Sequence, residues 1–289
     1  MKTLVRNSGL IALAALTALA ITAVGQGLWG VMAMVNVALT PAIPWAAPVM
    51  ALVLAGLVLF LTGRAGPTWG AARRRGMVPL APVSGKVWLW SLIGGGAGVI
   101  ALAALWTVMA SMVRVPPNLL PDTHGIPPWT GVPLLLVAIA AAPLTEEIAF
   151  RGYAMSLLRR RFGPMTALVI ASTLFACVHL TQGLSAPKLI VYELVGLGLG
   201  FVALRAGSLL PAMVVHSFGD FVFFTTVWSH DAGRRLISEG GADGWFFANV
   251  AMLVVFTLVC AFGLRQLVKV TSDLPSASRS APAGALAAA

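Results

Sequence analysis

The hexad Glu146-Glu147-Ile148-Ala149-Phe150-Arg151 puts two acids and a base inside a stretch otherwise apolar enough to cross a bilayer. An acidic or basic side chain at mid-membrane costs about 2.5 to 3.5 kcal/mol, so the three together cost on the order of 8 kcal/mol before any pairing. Either partners offset that cost or chemistry requires it. Glu147 and Arg151 stand four apart, on one face of a helix, where they can pair. Glu146 is turned about 100° from its neighbour, so one arginine does not serve both acids equally and one carboxylate is left for other work. A buried packing device that fixes helix register is the alternative for such a group, and two further histidines weigh against it.

His179 closes the run Phe175-Ala176-Cys177-Val178-His179, and His216 opens His216-Ser217-Phe218-Gly219-Asp220, both within apolar segments. His216 and Asp220 are also four apart and share a face. An imidazole and an acid so placed can hold a water or a metal, or the acid can fix the histidine tautomer. At about 1.5 Å per residue, Glu146, His179, His216 and Asp220 lie roughly 20, 22, 17 and 22 Å along their segments from the basic or proline-marked ends. All four can share one depth. Such a set suits activation of water for attack on a carbonyl. The His-Glu-x-x-His pattern of soluble zinc peptidases is absent, so a zinc site would have to be assembled from three helices.

The elements that must position these groups follow from composition. Of 289 residues, 59% are hydrophobic and 10% charged, against roughly a quarter charged in a soluble domain, and mean hydropathy is +0.92. The chain reads as a polytopic membrane protein. Eight runs are long enough to span, at about 20 residues each: 9–36, 43–63, 88–113, 130–156, 164–181, 189–205, 208–227 and 245–264. A net charge of +10 would suggest nucleic acid only if it formed a basic face on a folded domain. Here the bases occupy short loops, so no nucleic-acid partner is expected. With the N-terminus in the cytoplasm, fourteen of the nineteen Lys and Arg residues fall inside and four outside, Arg151 being within the membrane; that asymmetry predicts both termini cytoplasmic.

Lys2 and Arg6 before an alanine-rich core resemble a secretory signal, but the apolar character continues to Ala38 without a clear cleavage site, so the run is read as a retained first helix. Cys177 and Cys260 lie within predicted helices and imply no disulfide framework. Residues 115–129 hold five prolines and form an irregular external connection. Glycines 94 to 96, 196, 198 and 200 permit close helix approach in lipid. Glu193 is expected to pair with a polar group on a neighbouring helix or to lie near the outer interface; His124 and His230 fall in external loops, and Tyr192, Gln182 and Ser185 carry no assignable signal. The expected organisation is N-terminal helices over 1–129, a core over 130–265 and a disordered cytoplasmic tail over 266–289.

Glu-Glu-x-x-x-Arg, then Phe-x-x-x-His, then His-x-x-x-Asp, in that order on successive membrane segments, resembles the CPBP family of intramembrane proteases, which includes the type II CAAX prenyl endopeptidases and bacteriocin-processing enzymes. Each motif alone is weak, and the ordered set is specific. The resemblance implies an all-α integral membrane fold, a bundle of about eight transmembrane helices with an intramembrane polar active site. It implies Glu146 as the glutamate that activates water, Glu147 with Arg151 as its supporting pair, and His179 as a holder of that water or of a metal. His216 and Asp220 match the motif assigned to positioning water or metal or to stabilising the oxyanion. Many members carry asparagine where this chain has Asp220, and an ionised aspartate cannot donate to an oxyanion, though a protonated one can; that favours a metal-ligand or histidine-orienting role, or a raised pKa.

Two catalysts fit these residues. His179, His216 and Asp220 can make a three-ligand zinc site, or Glu146 and His179 can act on water without metal. The expected partners are the lipid bilayer and a membrane-associated peptide or protein substrate, the expected location a bacterial plasma membrane. A noncatalytic scaffold, such as a bacteriocin-immunity protein of the same fold, is the alternative. A proton-coupled carrier fits less well, since no inverted repeat with broken helices is evident.

Overall fold

The computed structural model describes residues 2–116, 125–230 and 234–272, and over these the regular structure is entirely helical. Eight apolar segments follow in order: α1 (Val5–Leu39), α2 (Ala46–Leu61), α3 (Gly85–Met112), α4 (Pro128–Leu158), α5 (Pro164–Thr181), α6 (Ala186–Ala206), α7 (Leu210–His230) and α8 (Gly244–Ser272). Seven are long and apolar enough to cross a membrane, and α2 is a shorter apolar helix of 16 residues. They correspond one to one to the eight runs read from the sequence. The expected tail begins too early: α8 continues through Ser272, with Leu267 fully buried and Thr271 nearly so. Hydropathy marks where the hydrocarbon ends, whereas Arg265 to Ser272 contain no glycine or proline to stop a helix. Residues 273–289 and His124 lie outside the described residues.

The helices sort into two compact units. The first holds α1, α2, α4 and a short helix, Ala71–Met77. Ala46, Ala47, Met50 and Leu54 of α2 pack against Leu134 and Ala141 of α4, with Trp29 and Met32 of α1 beside them. The corner between α1 and α2 is closed by Asn36, fully buried, which donates to the carbonyls of Thr40 and Ile43 and accepts from the Ala46 amide at 2.9, 2.7 and 2.9 Å. A helix end away from water needs such partners for its orphan carbonyls and amides. In the loop that follows α2, Arg75 donates to Gly63 O and Arg74 to Pro67 O, at 2.7 and 2.9 Å. Tyr153 of α4 donates to Leu61 O at 2.7 Å.

The second unit holds α3 and α5 to α8. Lipid offers no hydrophobic drive between helices, so close packing of small residues must supply the attraction. Gly94 of α3 and Gly263 of α8 abut so closely that a Cβ on Gly263 would stand 2.7 Å from Gly94 backbone atoms. Gly196 of α6 meets Ser172 of α5 in the same way. Val254, Val255, Leu258 and Phe262 of α8 are exposed, as befits a side turned to lipid. At its end α5 tightens into a 3-10 turn, His179–Gln182; the chain then passes Gly183 at φ +107° and enters α6 through Ser185, whose hydroxyl accepts from the Lys188 amide at 3.3 Å.

Among the described residues three π-helical turns interrupt these helices: Ala23–Gly27 in α1, Glu147–Ala154 in α4 and Phe223–Val227 in α7. Such widened turns are rare and recur at functional sites.

Candidate active site

In the first unit the π-helical turn of α4 begins one residue after Glu146 and contains Glu147 and Arg151. Arg151 donates to Glu147 Oε1 at 2.9 Å, both side chains being essentially inaccessible, at 2% and 0% exposure. Glu146 is 5% exposed and its Oε1 accepts from the side-chain amide of Gln26 in α1 at 2.6 Å. The two adjacent acids thus have different partners, one a cation and one a neutral amide, as their separation around the helix predicts. Gly25 makes the approach of α1 possible, because a Cβ there would overlap the Thr145 side chain.

In the second unit, Phe175, His179, Tyr192, His216 and Asp220 gather on α5, α6 and α7. His179 Nδ1 is 2.8 Å from the Phe175 carbonyl. The imidazole stacks on the Tyr192 ring, with centroids 4.0 Å apart and planes 24° apart, and is tilted against the Phe175 ring at 4.5 Å. His216 lies edge-on to that same phenylalanine at 6.1 Å, so one aromatic ring serves both histidines. His216 Nε2 and Asp220 Oδ1 are 3.7 Å apart, an ion-pair distance longer than a hydrogen bond.

The six predicted residues therefore fall into two clusters: Glu146, Glu147 and Arg151 in the first unit, His179, His216 and Asp220 in the second. Among the described residues no group of three His, Cys, Asp or Glu side chains has the arrangement of a metal site.

Sequence reasoning missed two site residues. Gln26 had a signal, an amide between two glycines in an otherwise apolar run; Tyr192 had none. Thr173 donates to Glu193 at 3.4 Å, the neighbouring-helix partner expected. Lys188 is fully buried. His230 is exposed, beside Ser229.

Residues 127–222 match the family model described as type II CAAX prenyl endopeptidase Rce1-like, a segment that contains all six motif residues. That segment, about a third of the chain, is similar to the CPBP family. CPBP proteins of this kind are intramembrane proteases, and the seven membrane-length helices agree with an integral membrane protein. No curated protein and no solved structure matches the chain.

Proposed function

We propose that this chain hydrolyses a peptide bond of a membrane-associated or lipidated peptide or protein, with Glu146 as the base that activates water. The observation that carries the reading is the bond between His179 Nδ1 and the Phe175 carbonyl, at 2.8 Å. A carbonyl only accepts, so the neutral imidazole keeps its proton on Nδ1 and presents Nε2 as a lone pair. That lone pair accepts one hydrogen of the attacking water. Glu146 removes the other as the water oxygen bonds to the scissile carbonyl carbon and the carbonyl electrons move onto its oxygen. His216 supplies an N–H to this oxyanion. Asp220 Oδ1, 3.7 Å from His216 Nε2, helps to fix the orientation of that ring. Collapse breaks the carbon–nitrogen bond, and the leaving amine takes the proton held by Glu146. One water is consumed, and a carboxylic acid and an amine leave.

The test is cleavage of membrane-anchored fluorogenic peptides, lipidated and plain, by the native chain and by Glu146→Gln in vesicles. The glutamine preserves volume and insertion, so cleavage should fall by about 10² to 10⁴ with melting unchanged. Retained cleavage refutes the role of Glu146. Loss of cleavage on chelation, restored by zinc, would replace this mechanism by a metal-dependent one.

A further inference from the structure

We propose that Tyr192 is a positioning residue, whose ring face holds the His179 imidazole in the orientation that presents Nε2. The inference rests on the reading of His179 given above and extends it to a residue on another helix.

His179 needs such a support because of where it stands. It opens the 3-10 turn at the end of α5, and its side chain is only half-buried. The terminal torsion of a histidine is broad rather than held in narrow staggered wells. The bond from Nδ1 to Phe175 O sets the direction of one ring atom. Two aromatic rings set the plane of the imidazole. Phe175 lies against the imidazole at 51°, and Tyr192 lies nearly parallel to it, at 24° and 4.0 Å. Tyr192 is itself 7% exposed and meets Phe175 edge-on at 6.4 Å, so it is a fixed surface rather than a loose neighbour.

The same helix also braces the turn that follows His179. Lys188 is four residues before Tyr192 and hence on the same face of α6. Its side chain is fully buried, and its Nζ lies 3.7 Å from the point a Cβ on Gly183 would occupy. The α6 face thus supports both the imidazole and the backbone leaving it. A reacting group displaced by about 1 Å costs on the order of 10² in rate, which is the scale of effect a lost stack should have.

The experiment compares Tyr192→Phe, which keeps the ring face, with Tyr192→Leu and Tyr192→Met, which fill volume without one. The four histidines are labelled with ¹⁵N in the full chain in lipid, and His179 is assigned by its loss in His179→Gln. At alkaline pH, where imidazole is neutral, the native chain and the Phe variant should show the single tautomer protonated on Nδ1. The Leu and Met variants should shift toward an average of two tautomers. A native pattern in Leu or Met overturns the proposal, and so does a Phe variant that behaves like them. In cleavage assays the Leu and Met variants should lose about 10- to 100-fold in kcat at unchanged KM, with Phe restoring the rate. A native chain that cleaves nothing counts against the peptidase reading, and the ¹⁵N comparison then decides the role of Tyr192 by itself.

Discussion

The side-chain amide of Gln26 donates to Glu146 Oε1 at 2.6 Å, joining the π-helical turn of α1 to the residue immediately before the π-helical turn of α4. A bond to a carboxylate is about twice as strong as one between neutral groups. An amide also orients the acid without adding a charge that would neutralise it. This is a suitable partner for a group that must accept a proton and return it.

Gln26→Leu should therefore cost about 1.5 to 3 kcal/mol of stability, the range for hydrogen bonds to charged groups, and lower kcat as well. Reversible unfolding in mixed micelles measures the first and vesicle cleavage the second. A variant equal to the native chain in both would remove Gln26 from the site.

Arg151→Ala should destabilise by about 3 to 5 kcal/mol, because it leaves the Glu147 carboxylate buried without its cation. Replacing both partners, Glu147→Met with Arg151→Met, should restore most of the loss, since apolar side chains of similar volume often substitute well for a buried pair. Melting of the two single variants and the double variant supplies the coupling. Additive effects would argue against the pair.

Gly25→Ala should cost about 1 to 3 kcal/mol through overpacking, because its methyl group would overlap the Thr145 side chain. The overlap is worst at the Thr145 methyl carbon. Thr145→Ser removes that carbon, so the double variant should recover stability. A Gly25→Ala chain as stable as the native one would show that α1 and α4 are not in close contact there.

Glu239 lies outside the membrane segments and titrates below the usual carboxylate range, chiefly because it accepts from the Leu236 amide and also because of Arg114. Arg114 is 2.6 Å from its Oε1. Its folded pKa is depressed, so its stabilising contribution is present above the unfolded value near 4.5 and is lost as pH falls through the folded value. Both side chains are exposed, so the effect is small and screened by salt. Glu239→Gln should flatten the pH dependence of melting below about pH 4.5. An unchanged acid limb would argue against the contact.

The spans were readable from sequence because a bilayer demands long apolar runs, and the partner of Glu147 was readable because helical periodicity puts Arg151 on the same face. Other features leave no such trace. The sequence suggested that one arginine would not serve both acids equally, yet the amide of Gln26 that donates to Glu146 lies 120 residues away, a pairing set by packing between helices. Tyr192 matters through the face of its ring, and ring stacking has no spacing rule. The π-helical turns likewise have no composition that announces them. The end of α8 was misjudged because polarity and helix termination are different properties: Gln266 and Lys269 leave the apolar run without leaving the helix.

The corner built around Asn36 bears on how the chain is made. Because Asn36 serves the main-chain groups of residues 40, 43 and 46, this tight connection carries its own polar partners into lipid. The first acid in the chain is Asp122, so α1 and α2 present no carboxylate and can enter the bilayer together as a hairpin during synthesis. Gln26 is then in place when α4 emerges. The order of synthesis delivers the donor before the acid, and Glu146 meets its amide on insertion instead of waiting in hydrocarbon for later helices.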